Sequence, residues 1–385
     1  MWKYLLSRTL QILVTLVFFL ALSYFILDAQ PGDITLQYVN PRFTEEQRQA
    51  LVHRLGLDRP VTERFAHWLV NALGGELGDS FELNKPVIEV IAERAPRTVF
   101  LFSTALIIEF IVGYFLGRVL AWNRGTTLEY GITVVGSIMY TIFTPWFALM
   151  MLWLFSFTLK WFPLGKFLDP TLWRNLPKGS PITANLLFNQ LLFTATLVVI
   201  AFAITYFVSR RIYPNQARRI FWEGTGLVVA IAVVFWVLSP QAVLVWDMIR
   251  HLVLPVMTLT LINFSGTMLL TRTTMLETLR EDYIMAARAK GLAEKDIRDR
   301  HAARNALLPV VTNLIISLPY ILGGGIITET VFSWPGMGLT LLNASSSGDI
   351  PLVMGASIFL GVLSLVAHLI ADVTYALLDP RIHYA

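Results

Sequence analysis

The sequence predicts an all-α polytopic membrane protein of about eight transmembrane helices. Three observations predict it. Of 385 residues, 55% are hydrophobic and only 15% are charged, against about 25% charged in a soluble globular chain. Several apolar runs approach the ~20 residues a helix needs to cross a bilayer. Those runs are continuous, whereas a membrane β-barrel would alternate over strands of about ten residues. The chain has no cysteine, which excludes disulfides, thiol nucleophiles and cysteine metal sites and leaves the compartment open. Basic residues are interleaved with acids beside the apolar runs, which is not a nucleic-acid-binding pattern.

Residues 1–27 hold the first expected span, Leu5–Leu27, with Lys3 and Arg8 keeping its start inside. The run is too long for a cleaved signal, and no small-residue cleavage site precedes Asp28. Residues 28–97 carry eight basic and eleven acidic side chains, a net of −3. They predict a small, mostly helical extracytoplasmic subdomain, with Thr44 and Gln47 as a capping pair. Residues 98–180 supply two spans. The first, Val99–Ala121, carries Glu109 near its middle; an acid at that depth is costly and faces protein or water. Glu109 is therefore a candidate for lining a translocation path and meeting a substrate amine, or for pairing with a neighbouring span. Arg124 in the next turn belongs inside. The third span, Ile132–Phe157, contains Pro145, which bends a helix by removing a hydrogen bond.

The loop Lys160–Thr183 should lie outside, although its four basic residues and single acid run against the positive-inside bias. In residues 181–246, two apolar runs, Leu186–Val208 and Ile220–Leu238, flank the basic turn SRRIYPNQARR, a positive-inside hairpin. Residues 247–385 hold the spans Leu252–Leu270, Val310–Phe332 and Leu352–Leu377. Gly323-Gly324-Gly325 in the second of these allows close packing or room for a substrate. Trp334-Pro335-Gly336 reads as a rigid turn with an exposed aromatic.

Between the first two of those spans lies the most charged segment, Thr271–Pro309, with eight basic and six acidic residues, a net of +2. Leu276, Leu279, Tyr283 and Ala287 fall on one helical face. Lys290-Gly291 is the arrangement expected where a helix ends in a left-handed residue. Two short amphipathic helices on the cytoplasmic side follow from this reading, with both termini inside.

Here the chain resembles a known family. Ala286-Ala287, three residues, then Gly291 resembles the EAA loop of bacterial ABC importer permeases. The longer run Arg280–Tyr283, Ala287–Leu292, His301-Ala302, Arg304–Leu307 and Pro309 resembles its form in dipeptide, oligopeptide and nickel permeases. Met285 stands where the acid that names the loop is expected, as is typical of the peptide branch. Pro31-Gly32-Asp33, Leu55–Pro60, Leu77–Ser80, Glu329–Gly338 and Asp379-Pro380-Arg381 also follow that family's order.

The resemblance implies a six-helix core into which about 65 residues, Pro181–Val245, are inserted as a membrane hairpin. It implies half of a pore in the bacterial inner membrane, in contact with membrane lipid. A second homologous permease, two ATPase subunits carrying ATP and magnesium, and an extracytoplasmic substrate-binding protein complete such an importer. By the same resemblance Tyr283, Ala286, Ala287, Lys290 and Gly291 couple to the ATPase. Glu109, Pro145, Gly324, Glu329 and Trp334 are candidates for the pathway and outer vestibule. The chain has neither G-x-x-x-x-G-K-[ST] nor H-E-x-x-H, so no catalytic residue, metal ligand or cofactor is expected on it. Peptides lead as substrate; nickel, haem, glutathione and oligosaccharides are alternatives. A secondary transporter would show paired repeats of broken helices, and none is evident. An intramembrane enzyme would have to use Glu109, His368 and Asp372, whose spacing specifies nothing.

Overall fold

The computed structural model describes residues 2–29, 59–174, 182–212, 216–322 and 325–378. The turn motifs at 31–33 and 55–58, the helix start at Thr44, Gly323 and Gly324, and the 379–381 motif lie outside them. The described chain is helical apart from loops and one short antiparallel pair, β1 (Asp79–Ser80) with β2 (Lys85–Pro86).

Helix α1 spans Trp2–Asp28 and α2 spans Val61–Leu73. Helix α3 runs Val87–Trp122, twelve residues earlier than its expected membrane start. Glu89, Glu93, Arg94 and Arg97 remove that stretch from any apolar run, but charge does not oppose helix. Arg97 and Glu93 pair at 3.2 Å one turn apart. Helix α4 (Thr127–Thr141) starts on Thr126, whose hydroxyl accepts from the Glu129 N–H.

The third expected span is not one bent helix. The chain breaks at Ile142, which is extended, and restarts as α5 (Thr144–Met151), continuing in π-helical turns through Leu152–Thr158. Pro145 therefore opens a helix rather than kinking one, because its missing N–H would be unpaired in a first turn anyway.

Two compact units emerge, Met1–Met150 with Val256–Ala385, and Met151–Pro255. In the second, α6 (Pro170–Arg174) sits in a loop held to Asp247, whose carboxylate accepts from the Asp169 N–H and Trp173 Nε1, both at 3.0 Å. Helices α7 (Ala184–Ile212) and α8 (Ala217–Leu238) form the hairpin. Phe221 packs on Phe202 and Tyr206, and Gly224 lets Thr205 approach. The apolar windows of both helices are otherwise exposed.

In the first unit, α9 (Ala242–Thr278, its later part), α10 (Asp282–Ala289), α11 (Glu294–Asp296), α12 (Ala303–Leu322), α13 (Ile326–Val331), α14 (Met337–Ser347) and α15 (Ile350–Leu378) follow in order. Helix α15 packs on α1, α3, α12 and α14. Val87, Val90 and Ile91 of α3 meet Met337, Leu352 and Val353 in one apolar cluster. Among the described residues six helices are long and apolar enough to cross a membrane, seven if the α4–α5 pair is one span. The expected continuous span Val310–Phe332 is instead α12, ending at Leu322, and a separate α13.

Candidate functional site

The charged connection is built from the end of α9 to the start of α12. Helix α9 stops at Thr278, and Glu281, extended at φ −68° and ψ 146°, starts α10. That break resets the helical rotation. Leu276 and Leu279 are part-buried as expected, but the apolar face resumes at Ile284, and Tyr283 is 40% exposed. Gly291 is left-handed at φ 76°. Its N–H reaches the Arg288 carbonyl at 2.9 Å and the Leu292 N–H reaches Ala287 at 3.3 Å, the paired bonds that close a helix on a glycine.

The two faces of α10 differ sharply. Ile284 is fully buried and Ala287 is 7% exposed, packed with Met275 of α9, Ile297, Ala302, Ala303 and Ala306 leading into α12, and Ala121 of α3. Tyr283, Met285 (55% exposed), Ala286, Arg288, Ala289, Lys290 and Leu292 face outward. Ala287, expected to dock outward beside Ala286, thus belongs to the loop's own core: residues one apart on a helix point about 100° apart. Much of the loop's charge is spent internally. Arg288 pairs with Glu294 at 2.9 Å, and Arg118 of α3 with Asp299 at 2.6 Å.

Helices α3 and α9 meet along a ladder. Glu109, Gly113 and Gly117 recur every fourth residue, as do Asn263, Thr267 and Thr271 opposite. Glu109 is buried and hydrogen-bonds Asn263, so it has an intramolecular partner. The two glycines bring their backbone against the Phe264 and Met268 carbonyls. One turn on, Arg272 grips the buried Glu129 of α4. The Gly113-x-x-x-Gly117 spacing is a sequence signal for close membrane-helix packing; Arg272 to Glu129 has none.

The segment Glu329–Gly338 is a latch. Gly336 precedes α14 and has no side chain to cap it. Glu329, fully buried, supplies the cap from α13: Oε2 accepts from the Leu339 N–H at 2.8 Å, and Oε1 accepts from the Thr98 hydroxyl of α3 at 2.7 Å. Thr98 in turn accepts from the Met337 N–H at 2.7 Å. A negative group on a helix N-terminus satisfies unpaired N–H groups and meets the helix dipole. Trp334, expected exposed, is 1% exposed, its Nε1 donating to the Arg97 carbonyl. The turn folds the indole inward, where its N–H finds a partner. Glu329 and Trp334 are thus internal struts. Asp349 repeats the device, accepting from Ser80 Oγ at 2.6 Å and from the Leu352 N–H of α15.

Residues 110–384 match the family model described as binding-protein-dependent transport system inner membrane component, and residues 1–102 match its N-terminal companion. The chain belongs to that family of importer permeases. This permease is 32% identical over 387 residues to a putative peptide permease protein of Brucella suis biovar 1, covering 99% of each chain. It is 29% identical to the oligopeptide transport system permease protein AppB of Bacillus subtilis, covering all of both. It is 30% identical to the di/tripeptide transport system permease protein DppB of Pseudomonas aeruginosa, covering 98% of each. It is a multi-pass inner-membrane permease, and among the described residues no three His, Cys, Asp or Glu side chains group as a metal site. His368 lies 2.8 Å from the Ser364 carbonyl of its own helix.

One element of the permease loop titrates in a defined direction. Asp299 is held below the usual carboxylate range, first by its hydrogen bonds from Arg298 and further by Arg118. A depressed folded-state value means the stabilisation is present above the unfolded value, about pH 4, and is lost as pH falls through the folded one. Asp299→Asn should therefore destabilise the purified permease at neutral pH by at most about 1 kcal/mol, since the pair is part-exposed. Denaturant unfolding at about pH 3 should show the gap to parent closing; a gap that widens there contradicts the assignment.

Proposed function

We propose that this permease is one half of the pore of an ATP-driven, binding-protein-dependent peptide importer, and that α10 receives motion from a separate ATPase subunit. The peptide reading rests on the relatives, which are named as peptide, oligopeptide and di/tripeptide permeases. A second, similar permease and two ATPases bearing ATP and magnesium complete the machine, with a binding protein outside. This chain binds no cofactor and hydrolyses nothing. The basic turns at Arg124 and Arg210–Arg219 put the loop and both termini in the cytoplasm by the positive-inside bias.

One observation carries the coupling role: α10 has a free face and an anchored face. Tyr283, Met285, Ala286, Ala289 and Lys290 are open to a partner. Ile284 and Ala287 lock the same helix to α9, α12 and the end of α3. A close-packed contact of this kind transmits displacement instead of absorbing it. A push on α10 therefore tilts three helices together, and Arg272 on Glu129 brings α4 with them.

The test uses Ala286→Trp, which adds bulk on the open face alone. Expected are normal membrane insertion and an unchanged melting temperature, with ATPase co-purification and peptide-stimulated ATP hydrolysis lowered about tenfold or more. Full coupling in that variant overturns the docking role. Ala287→Trp is no substitute, because it overfills the loop's own core.

A further inference from the structure

Beside the loop, at the end of α3, lies a cleft of about 230 Å³ that coupling does not use. Phe115, Arg118, Val119 and Trp122 lie along one face of α3 and line it, with Arg298 and Asp299 from the segment before α12 closing the other side. Phe115 and Val119 are exposed. From Phe115 to Trp122 the helix rises about 10 Å, which spans the passage from acyl chains to headgroups. Arg298 lies over the Trp122 ring at 5.3 Å and donates to Asp299 at 2.7 Å. Arg118 donates to the same carboxylate at 2.6 Å, while its Nε–H is buried without a hydrogen-bond partner.

We propose that this cleft binds the headgroup phosphate of an anionic phospholipid, with its acyl chains lying along Phe115 and Val119. Two guanidiniums face one carboxylate, which leaves one positive charge uncompensated. That balance suits a singly charged phosphodiester better than free phosphate. Arg118 and Arg298 both line the cleft, and guanidiniums are donors of the planar kind that engages phosphate oxygens. The cleft is smaller than a pocket for a drug-sized ligand, so it takes a headgroup and leaves the tails outside. An interfacial tryptophan and a basic cleft on the cytoplasmic leaflet, where anionic lipid resides, meet at one place. The proposal rests on the cytoplasmic placement of the loop argued above.

The experiment reconstitutes the complete importer in vesicles of phosphatidylglycerol and phosphatidylcholine, then counts retained lipid by native mass spectrometry. Parent permease is expected to keep phosphatidylglycerol selectively, unaffected by millimolar inorganic phosphate. R118Q/R298Q should lower that apparent affinity about thirtyfold, from the attraction each basic side chain contributes. Because those arginines also brace Asp299, Val119→Glu provides a second variant: it removes no charged side chain and places a carboxylate at the exposed mouth, where it competes with the phosphate for the guanidiniums. It too should lose retention. Equal retention in parent and V119E overturns the proposal, as does displacement by inorganic phosphate, which would make this a soluble-anion site. ATPase co-purification is read on the same samples. Lost ATPase with selective lipid retained fails the coupling reading alone; bound ATPase with no lipid selectivity fails this one alone.

Discussion

Gly117→Val should leave almost no folded permease in the membrane. A Cβ at Gly117 would sit 2.5 Å from the Met268 carbonyl oxygen and 2.5 Å from Thr271 Cβ. One turn back, a Cβ at Gly113 would meet the Phe264 carbonyl and Thr267 Cβ at 2.7 Å. The obstruction is backbone, so no rotamer relieves it, and α3 must move away from α9. Separation strains the Glu109–Asn263 contact above and the Arg272–Glu129 pair below. Overpacking a filled contact costs about 1–3 kcal/mol and here also opens polar pairs. A loss on the order of 4 kcal/mol is a large share of a stability of about 5–15 kcal/mol. Gly131→Val is the control, because a Cβ there meets nothing within 4 Å. Fluorescence-detected size-exclusion of the two variants decides the matter: equal monodisperse peaks would show that the seam is loose.

Glu329→Ala should be nearly as damaging, although the sequence reads Glu329 as a candidate for the outer vestibule rather than as a structural residue. Its loss strands the Leu339 and Gly338 N–H groups at the start of α14 and the Thr98 hydroxyl, all away from water. Each stranded buried donor costs about 1–3 kcal/mol, so with three stranded a loss of at least roughly 3 kcal/mol is expected. Glu329→Gln keeps one acceptor oxygen but points an N–H₂ at a donor, and should fall between parent and Ala. Gly336→Ala should match Glu329→Ala, because its Cβ would lie 2.3 Å from Glu329 Oε1 and 2.4 Å from Thr98 Oγ1. Thermal unfolding of the detergent-purified permease orders the series. If Gln proves no better than Ala, the carboxylate is not acting as the cap.

Neither residue announces these roles along the chain. Glu329 and Thr98 are 231 positions apart, and the motif around Trp334 reads as an exposed turn until a partner folds over it. The Gly113–Gly117 spacing stands in the sequence, but its meaning depends on which helix lies opposite. Pro145 reads as a helix bender, yet a two-residue break at Ile142 and Phe143 makes it part of a first turn instead.

Membrane class, the first span, the hairpin, the glycine end of α10 and the permease family were all legible in residues taken alone. Each depends on a cost paid locally: moving a run of side chains out of water, placing a charge on one side of a bilayer, or adopting a left-handed backbone at Gly291. Which face of a helix is covered is not a local quantity. Ala286 and Ala287 are identical side chains on adjacent residues, and only the cluster of Ile297, Ala302 and Met275 makes one internal and leaves the other free. Tertiary structure alone buried Trp334, gave Glu329 its helix to cap and set Arg118 beside Arg298, because burial and hydrogen bonding belong to pairs of surfaces that the chain brings together only once folded.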